Sequence, residues 1–188
     1  MRATELAHVL VRQSVSAGDW AVDATVGNGH DTALLADLVG PTGRVFGFDI
    51  QEAAMAATAE RVGNAPQLTL VHAGHETLAE HITADGPADG HGRLAAVMFN
   101  LGYLPGAPKT ITTRTETTLA GLEQALSHLR SSGLITLVLY PGHPGGAEEA
   151  DAVRSYAQTL PQDFAVIHYA RINSRRPAPE LLAIERIG

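Results

Sequence analysis

The chain has 188 residues, 45% of them hydrophobic, with no cysteine and a formal net charge of −7. That length suits one domain with a substantial core. Lack of cysteine excludes disulfides, thiol nucleophiles and thiolate metal sites, and the negative charge argues against unspecific binding to nucleic acid. The charge is unevenly spread: residues 1–94 hold 5 Arg against 12 acidic residues, whereas residues 95–188 are balanced at 8 against 8.

Met1–Leu10 contains Glu5 and lacks the apolar centre of a signal peptide, and a stretch as apolar as Leu134–Tyr140 is too short to cross a bilayer. A soluble cytoplasmic protein is expected. Leu6, Val9 and Leu10 in Ala3–Val15 share one helical face, and Gly18 ends that helix. The apolar run from Trp20 to Val26 predicts a strand. Gly27, Asn28 and Gly29 break it, and from Asp31 the spacing becomes helical through Leu34, Leu35, Leu38 and Val39. A strand, a glycine turn and a helix start leave main-chain amides facing a ligand.

After the turn Gly40-Pro41-Thr42-Gly43, a second buried strand runs to Ile50 and carries Asp49, 20 residues beyond Gly29. An acid there accepts hydrogen bonds from both hydroxyls of a ribose; with Glu52 it also forms the pattern of a capping box. The glycines lack the third member of the dinucleotide fingerprint, so the unit resembles the S-adenosylmethionine site of class I methyltransferases more than a nicotinamide site, and Asp23 shares in that likeness.

An Ala-rich helix is expected over Gln51–Val62 and a third strand over Leu68–Ala73, followed by His72, Gly74, His75 and Glu76. His72 and His75 do not have metalloprotease spacing, and no metal site is expected; His75 and Glu76 are read as bordering an adenine. Residues 84–92 read as a polar loop. Arg93–Asn100 is apolar enough for a central parallel strand and ends in Asn100-Leu101-Gly102-Tyr103. Methyl transfer runs in line from a sulfonium to a lone pair, so positioning dominates catalysis. The Asn100 carbonyl can take an N–H of an amine and turn its lone pair toward the methyl, and Tyr103 can stack on a flat base. The tetrad resembles the Asn-Pro-Pro-Tyr tetrad of amino-group methyltransferases without its prolines.

Pro108–Thr118 reads as a polar lid carrying Lys109 and Arg114, and a helix follows over Leu119–Leu129. A fifth strand, Gly133–Tyr140, leads into Tyr140-Pro141-Gly142-His143-Pro144-Gly145-Gly146, where His143 is read as either structural or substrate-facing. Glu148–Leu160 is expected to be helical with Ala150, Val153, Tyr156 and Ala157 inward. Two strands, Phe164–Ile172 and Glu180–Ile187, close the chain, and their connection brings Arg171, Arg175 and Arg176 to the substrate mouth, where guanidinium groups suit phosphates. The expected fold is α/β and Rossmann-like: seven strands, mostly parallel with an antiparallel last strand, and helices on both faces.

Together, Asp23–Thr32, Phe46–Gln51, Phe99–Gly106, Gly142–Gly146 and Ile172–Glu185 resemble one bacterial family of rRNA methylases, which includes the enzyme that methylates 5-aminomethyl-2-thiouridine at the tRNA wobble position. The resemblance covers about Asp19 to Glu185. It implies a class I fold, S-adenosylmethionine as donor, an amine on a wobble uridine as acceptor, tRNA as partner and a homodimer. By motif position it implies that Asn28, His30, Asp49, Gln51, His75 and Glu76 hold the cofactor, with Asn100 and Tyr103 facing the acceptor. Asp23, Thr25, Gly27, Gly29, Asp31, Thr32 and Ile50 complete the expected cofactor set, and Lys109, Arg114, His143, Arg175 and Arg176 the substrate set. Pro141 and the pair Arg175-Arg176 depart from the pattern. Competing readings are a methyltransferase for rRNA or a small amine, a cofactor-binding regulator without catalysis, and a nicotinamide oxidoreductase.

Overall fold

The computed structural model describes residues 1–84, 94–102 and 112–188. Seven strands form one sheet: β1 (Trp20–Asp23), β2 (Arg44–Phe48), β3 (Leu68–Val71), β4 (Leu94–Asn100), β5 (Leu129–Leu139), β6 (Phe164–Tyr169) and β7 (Glu180–Arg186). Their order is β3-β2-β1-β4-β5-β7-β6, with β7 antiparallel to both neighbours and the other pairings parallel. The chain winds outward from β1 to β3 and then crosses to β4 on the other side of β1, which puts the switch point, the usual place for a ligand, between β1 and β4.

Neighbouring residues on each strand feed opposite cores, because a strand points successive side chains to opposite faces. Ala21, Val45, Ala96 and Met98 pack with α1 (Ala3–Ser14) and α2 (His30–Val39), through Ala7, Val11, Leu35 and Val39. Val22, Phe46, Phe48, Val97 and Phe99 pack with α4 (Leu78–Ala84), α5 (Thr115–His128) and α6 (Gly146–Gln158), which follow α3 (Glu52–Val62) in the helix series. Burial on both faces explains why β4 is apolar from Leu94 to Phe99.

Four expectations are corrected. Residues 115–118 belong to α5, not to a lid: Thr118 is buried and donates its hydroxyl to Glu149 at 2.7 Å, a tertiary bond that outweighs weak helix propensity. β5 begins at Leu129 rather than Gly133; Leu129 pairs with Leu94 and Leu134 with Ala96, so residues 130–133 bulge out opposite Ala95, with Ser132 at φ +59°. A one-turn 3-10 helix (His75–Thr77) and α4 occupy the stretch after β3, where no helix was expected; Leu78 and Ile82, one turn apart, are both fully buried. The capping box of Asp49 with Glu52 does not form, since the residue preceding α3 is Gln51 and the Asp49 carboxylate is engaged by main-chain amides.

Candidate active site

The loops that follow β1 to β5 open on one edge of the sheet and enclose a cavity of about 740 Å³. Its floor is the glycine turn. Asp49, just past β2, accepts the amide of Gly27 through Oδ2 at 2.9 Å and the amide of Gln51 through Oδ1 at 2.9 Å, so one carboxylate joins the ends of two strands. Gly29 stands at φ +75°, and a Cβ there would lie 2.9 Å from the Thr58 Cα; the turn is locked against α3 from behind.

Of the expected cofactor residues, Thr25, Gly27, Asn28, His30, Asp31, Asp49, Ile50, Gln51, His75 and Glu76 line the cavity. Asp23, Gly29 and Thr32 do not. Asp23 is fully buried beneath the turn, where its carboxylate accepts the Thr32 hydroxyl at 2.6 Å and the Thr25 amide at 3.1 Å. Burial first, and then the negative charge of Asp31, push its pKa up to about 7. Asp23 and Thr32 thus shape the wall from inside, because both have their polar groups turned toward each other.

His75 lies under the other end of the cavity. Its Nδ1 meets the Ala24 carbonyl at 2.9 Å, the ring stands edge-on to Phe99, and burial lowers its pKa, which keeps the imidazole neutral. An Nδ1–H donated to that carbonyl leaves Nε2 as an acceptor, and Nε2 is buried with no protein partner among the described residues. His72 is not part of this wall; its Nε2 meets the Ile50 carbonyl at 3.0 Å.

Asn100 closes β4 at the switch point and lines the same cavity. Its amide N–H donates to Thr25 Oγ1 at 2.7 Å, and its side-chain Nδ2 is 3.5 Å from Asp31 Oδ2. With Nδ2 facing a carboxylate, the carbonyl oxygen is the atom that can accept from a ligand. Beyond it, the Gly102 amide donates to Thr113 Oγ1, whose hydroxyl donates to Glu149 Oε2 at 2.7 Å. Glu149, only 3% exposed, therefore ties the strand end, the residues before α5 and α6 together.

Arg114 and His143 line the cavity from the expected substrate set. Arg175 and Arg176 are exposed and do not line it; their loop reaches the site through Pro177 and Pro179, which form a second recess of about 180 Å³ with Tyr140, Pro141, Gly142 and His143. Tyr103 and Lys109 lie outside the described residues. Sequence reasoning passed over His8, Tyr140, Thr113 and Glu149. His8 Nε2 meets Asp31 Oδ1 at 2.6 Å, a contact between two helices 23 residues apart that leaves no periodic trace.

The model of a family described as "Putative rRNA methylase" matches residues 45–185. The chloroplastic tRNA (mnm(5)s(2)U34)-methyltransferase of Arabidopsis thaliana is 38% identical over 193 residues, spanning 96% of this chain and 68% of that protein. The crystal structure of a "putative rRNA-methylase" from Clostridium thermocellum superposes with a TM-score of 0.92 at 40% identity, covering 100% of this chain and 98% of that one. The crystal structure of "a putative methyltransferase" from Streptococcus mutans in complex with SAH gives 0.86 at 33% identity, over 99% and 98% of the two chains.

Proposed function

This chain belongs to the rRNA methylase family and is an S-adenosylmethionine-dependent methyltransferase, and we propose that the group it methylates is the amine of 5-aminomethyl-2-thiouridine at the wobble position of tRNA. The observation that carries this reading is the position of Asn100: its carbonyl shares one cavity with the Gly27 turn and the Asp49 carboxylate. The acceptor named for the Arabidopsis thaliana relative is a wobble uridine, and the resemblance of the Asn100 tetrad to that of amino-group methyltransferases supports a nitrogen nucleophile.

The residues present fit the donor. The cavity falls in the range of small-molecule sites, and its acids Asp31, Asp49 and Glu76 complement a cofactor with positive sulfonium and ammonium groups. Each Asp49 oxygen already takes one amide and keeps a second lone pair for a ribose hydroxyl. When bound, S-adenosylmethionine supplies an electrophilic methyl. The chain then has to orient the acceptor: Asn100 takes an N–H of the amine through its carbonyl, which aims the lone pair along the methyl–sulfur axis.

RNA binding by an acidic protein needs local positive charge. Arg171, Arg175 and Arg176 are exposed on the β6–β7 connection, whose Pro177 and Pro179 reach the rim beside Tyr140 and His143. Phosphates flanking a wobble base would meet these guanidinium groups. We further infer one catalytic domain over residues 1–188, working in the cytoplasm as a homodimer; β6 is an edge strand exposing Ile167, which a second copy would cover.

The test uses purified protein, donor labelled in its methyl group, and total RNA from cells lacking the gene. The expected result is label in tRNA and conversion of 5-aminomethyl-2-thiouridine to its methylated form in the nucleoside mass spectrum. Label confined to rRNA would overturn the wobble assignment.

A further inference from the structure

Three carboxylates crowd the switch point, and two of them hold main-chain amides of the surrounding turns. Asp23 is closed off with Thr32 and the Thr25 amide, and Asp49 holds the amides of Gly27 and Gln51. Asp31 differs. It lines the cavity, one of its oxygens lies 3.5 Å from the Asn100 amide, and the other is 2.6 Å from His8 Nε2. The His8 side chain is 33% exposed while that of Asp31 is 12% exposed, so the pair runs from the cavity wall to bulk solvent. Helix α1 fixes this arrangement by burying Ala3, Ala7 and Val11 against the sheet, which leaves His8 beside the first turn of α2.

A lone His–Asp pair open to solvent at its histidine end adds little stability, and a carboxylate in the first turn of a helix needs no histidine to favour it. A cavity that must discharge a proton uses both. Resting on the amine acceptor proposed above, we propose that Asp31 takes the proton that the acceptor amine must shed and that His8 relays it to solvent. An aminomethyl group in water is largely an ammonium, which has no lone pair to donate. The N–H bond of the ammonium breaks toward Asp31 Oδ2, leaving its electron pair on nitrogen. That pair forms the N–CH3 bond as the C–S bond breaks, with the electrons of the latter going to sulfur. The product is a secondary ammonium beside a neutral thioether, and the proton on Asp31 passes to Nε2 of the His8 tautomer that carries its hydrogen on Nδ1, as that Nδ1 hydrogen goes to water. No oxidant, metal or further reactant enters.

The groups facing Asp31 come from four elements: His8 on α1, Asp23 on β1, Asn100 on β4 and Tyr140 after β5. The Tyr140 hydroxyl is pushed up, by burial first and then by the charge of Asp31, so it stays protonated and does not compete for the proton. Arg2 acts on Tyr140 in the opposite sense, and Asp49 adds to the field at Asp23.

The experiment compares wild type, Asp31→Asn and His8→Gln by single-turnover methylation of tRNA carrying the aminomethyl group, from pH 6 to 9 (a range of about three units around the neutral region), with SAH affinity measured by calorimetry on the same samples. The expected result is a rate lower by about 100-fold for Asp31→Asn and about 10-fold for His8→Gln at neutral pH, with SAH affinity unchanged in His8→Gln and lowered far less than the rate in Asp31→Asn. Both deficits shrink as pH rises, because the free amine then forms without help. Glutamine keeps an N–H to hold Asp31 in place, so a merely structural histidine would be replaced by it without loss. Wild-type rates and pH profile in His8→Gln, or a loss of SAH affinity in Asp31→Asn as large as its loss of rate, overturns the relay. Should Asp31→Asn fail to fold, the His8→Gln profile decides alone. Absence of wild-type activity on this tRNA would instead defeat the acceptor assignment, not the relay.

Discussion

Asp49 Oδ2 accepts the Gly27 amide at 2.9 Å, so the end of β2 grips the turn that follows β1 and sets the spacing between the two walls of the cavity. Because the second oxygen takes the Gln51 amide, the carboxylate cannot swing away without leaving two main-chain donors unpaired.

Replacing Asp49 by Ala removes both anchors and the charged acceptor proposed for a ribose. SAH binding should weaken by about 1.5–3 kcal/mol, the scale of a hydrogen bond to a charged group. Isothermal titration measures this directly, and an unchanged dissociation constant would remove Asp49 from the cofactor site.

Gly29 and Gly40 allow the turn to be tested for stability. Both have positive φ, +75° and +62°, but only Gly29 is crowded: an added Cβ would lie 2.8 Å from Thr58 Oγ1 and 2.9 Å from the Thr58 Cα, whereas nothing stands within 4 Å at Gly40. Gly40→Ala should lower the unfolding free energy by about 1–3 kcal/mol from backbone strain alone, because φ +62° with ψ −174° is a conformation that side chains other than glycine's scarcely adopt. Gly29→Ala should cost about 1–3 kcal/mol for strain and lose more through the clash, which backbone atoms of α3 cannot relieve. Urea titrations with equal slopes compare the two.

The parts of the site that could be read in the sequence are those that strand ends deliver. Gly27, Asp49, His75 and Asn100 each lie within a few residues after a buried apolar run, and parallel strands bring such positions to one edge. What escaped are polar groups that find partners across the fold. Glu149 sits on a helix whose apolar spacing marks Ala150, Val153 and Ala157, so it reads as solvated; it is buried because Thr113 and Thr118 donate to it. His8 reads as a polar residue of an amphipathic helix until α2 is set beside it. Asp23 and Thr32 belong to the right motif but satisfy each other, which places them behind the wall.

The buried Asp23 carboxyl makes stability depend on pH in a defined sense. Its folded pKa is raised to about 7 from the ordinary 3.8, so the folded chain holds a proton that the unfolded chain releases. Its contribution is fully present below the unfolded value and is lost as pH rises through about 7. Asp23→Asn keeps an oxygen for the Thr25 amide and lets the Thr32 hydroxyl turn to accept. The variant should match wild type below about pH 4 and exceed it by a margin that grows with pH, reaching on the order of a few kcal/mol at pH 8. Thermal unfolding of both proteins across that range checks the crossing; a constant difference would show that Asp23 does not change protonation on folding.

Asn100→Ala separates catalysis from cofactor binding. Its main-chain bond to Thr25 Oγ1 does not involve the side chain, so the end of β4 and the cavity wall should survive the change. Under the proposed function the variant loses the carbonyl that would orient the amine, and the rate of methyl transfer should fall by about 100-fold, comparable to the loss of one positioned polar group in other active sites, while SAH affinity stays within about twofold, since no proposed cofactor contact is removed. A regulator that only senses the cofactor predicts the opposite pattern: cells carrying Asn100→Ala would keep the wild-type phenotype and cells carrying Asp49→Ala would lose it. Measuring both variants for tRNA methylation in cells, alongside their affinity for SAH, therefore distinguishes an enzyme from a sensor, because only an enzyme depends on a residue that touches the acceptor and not the donor.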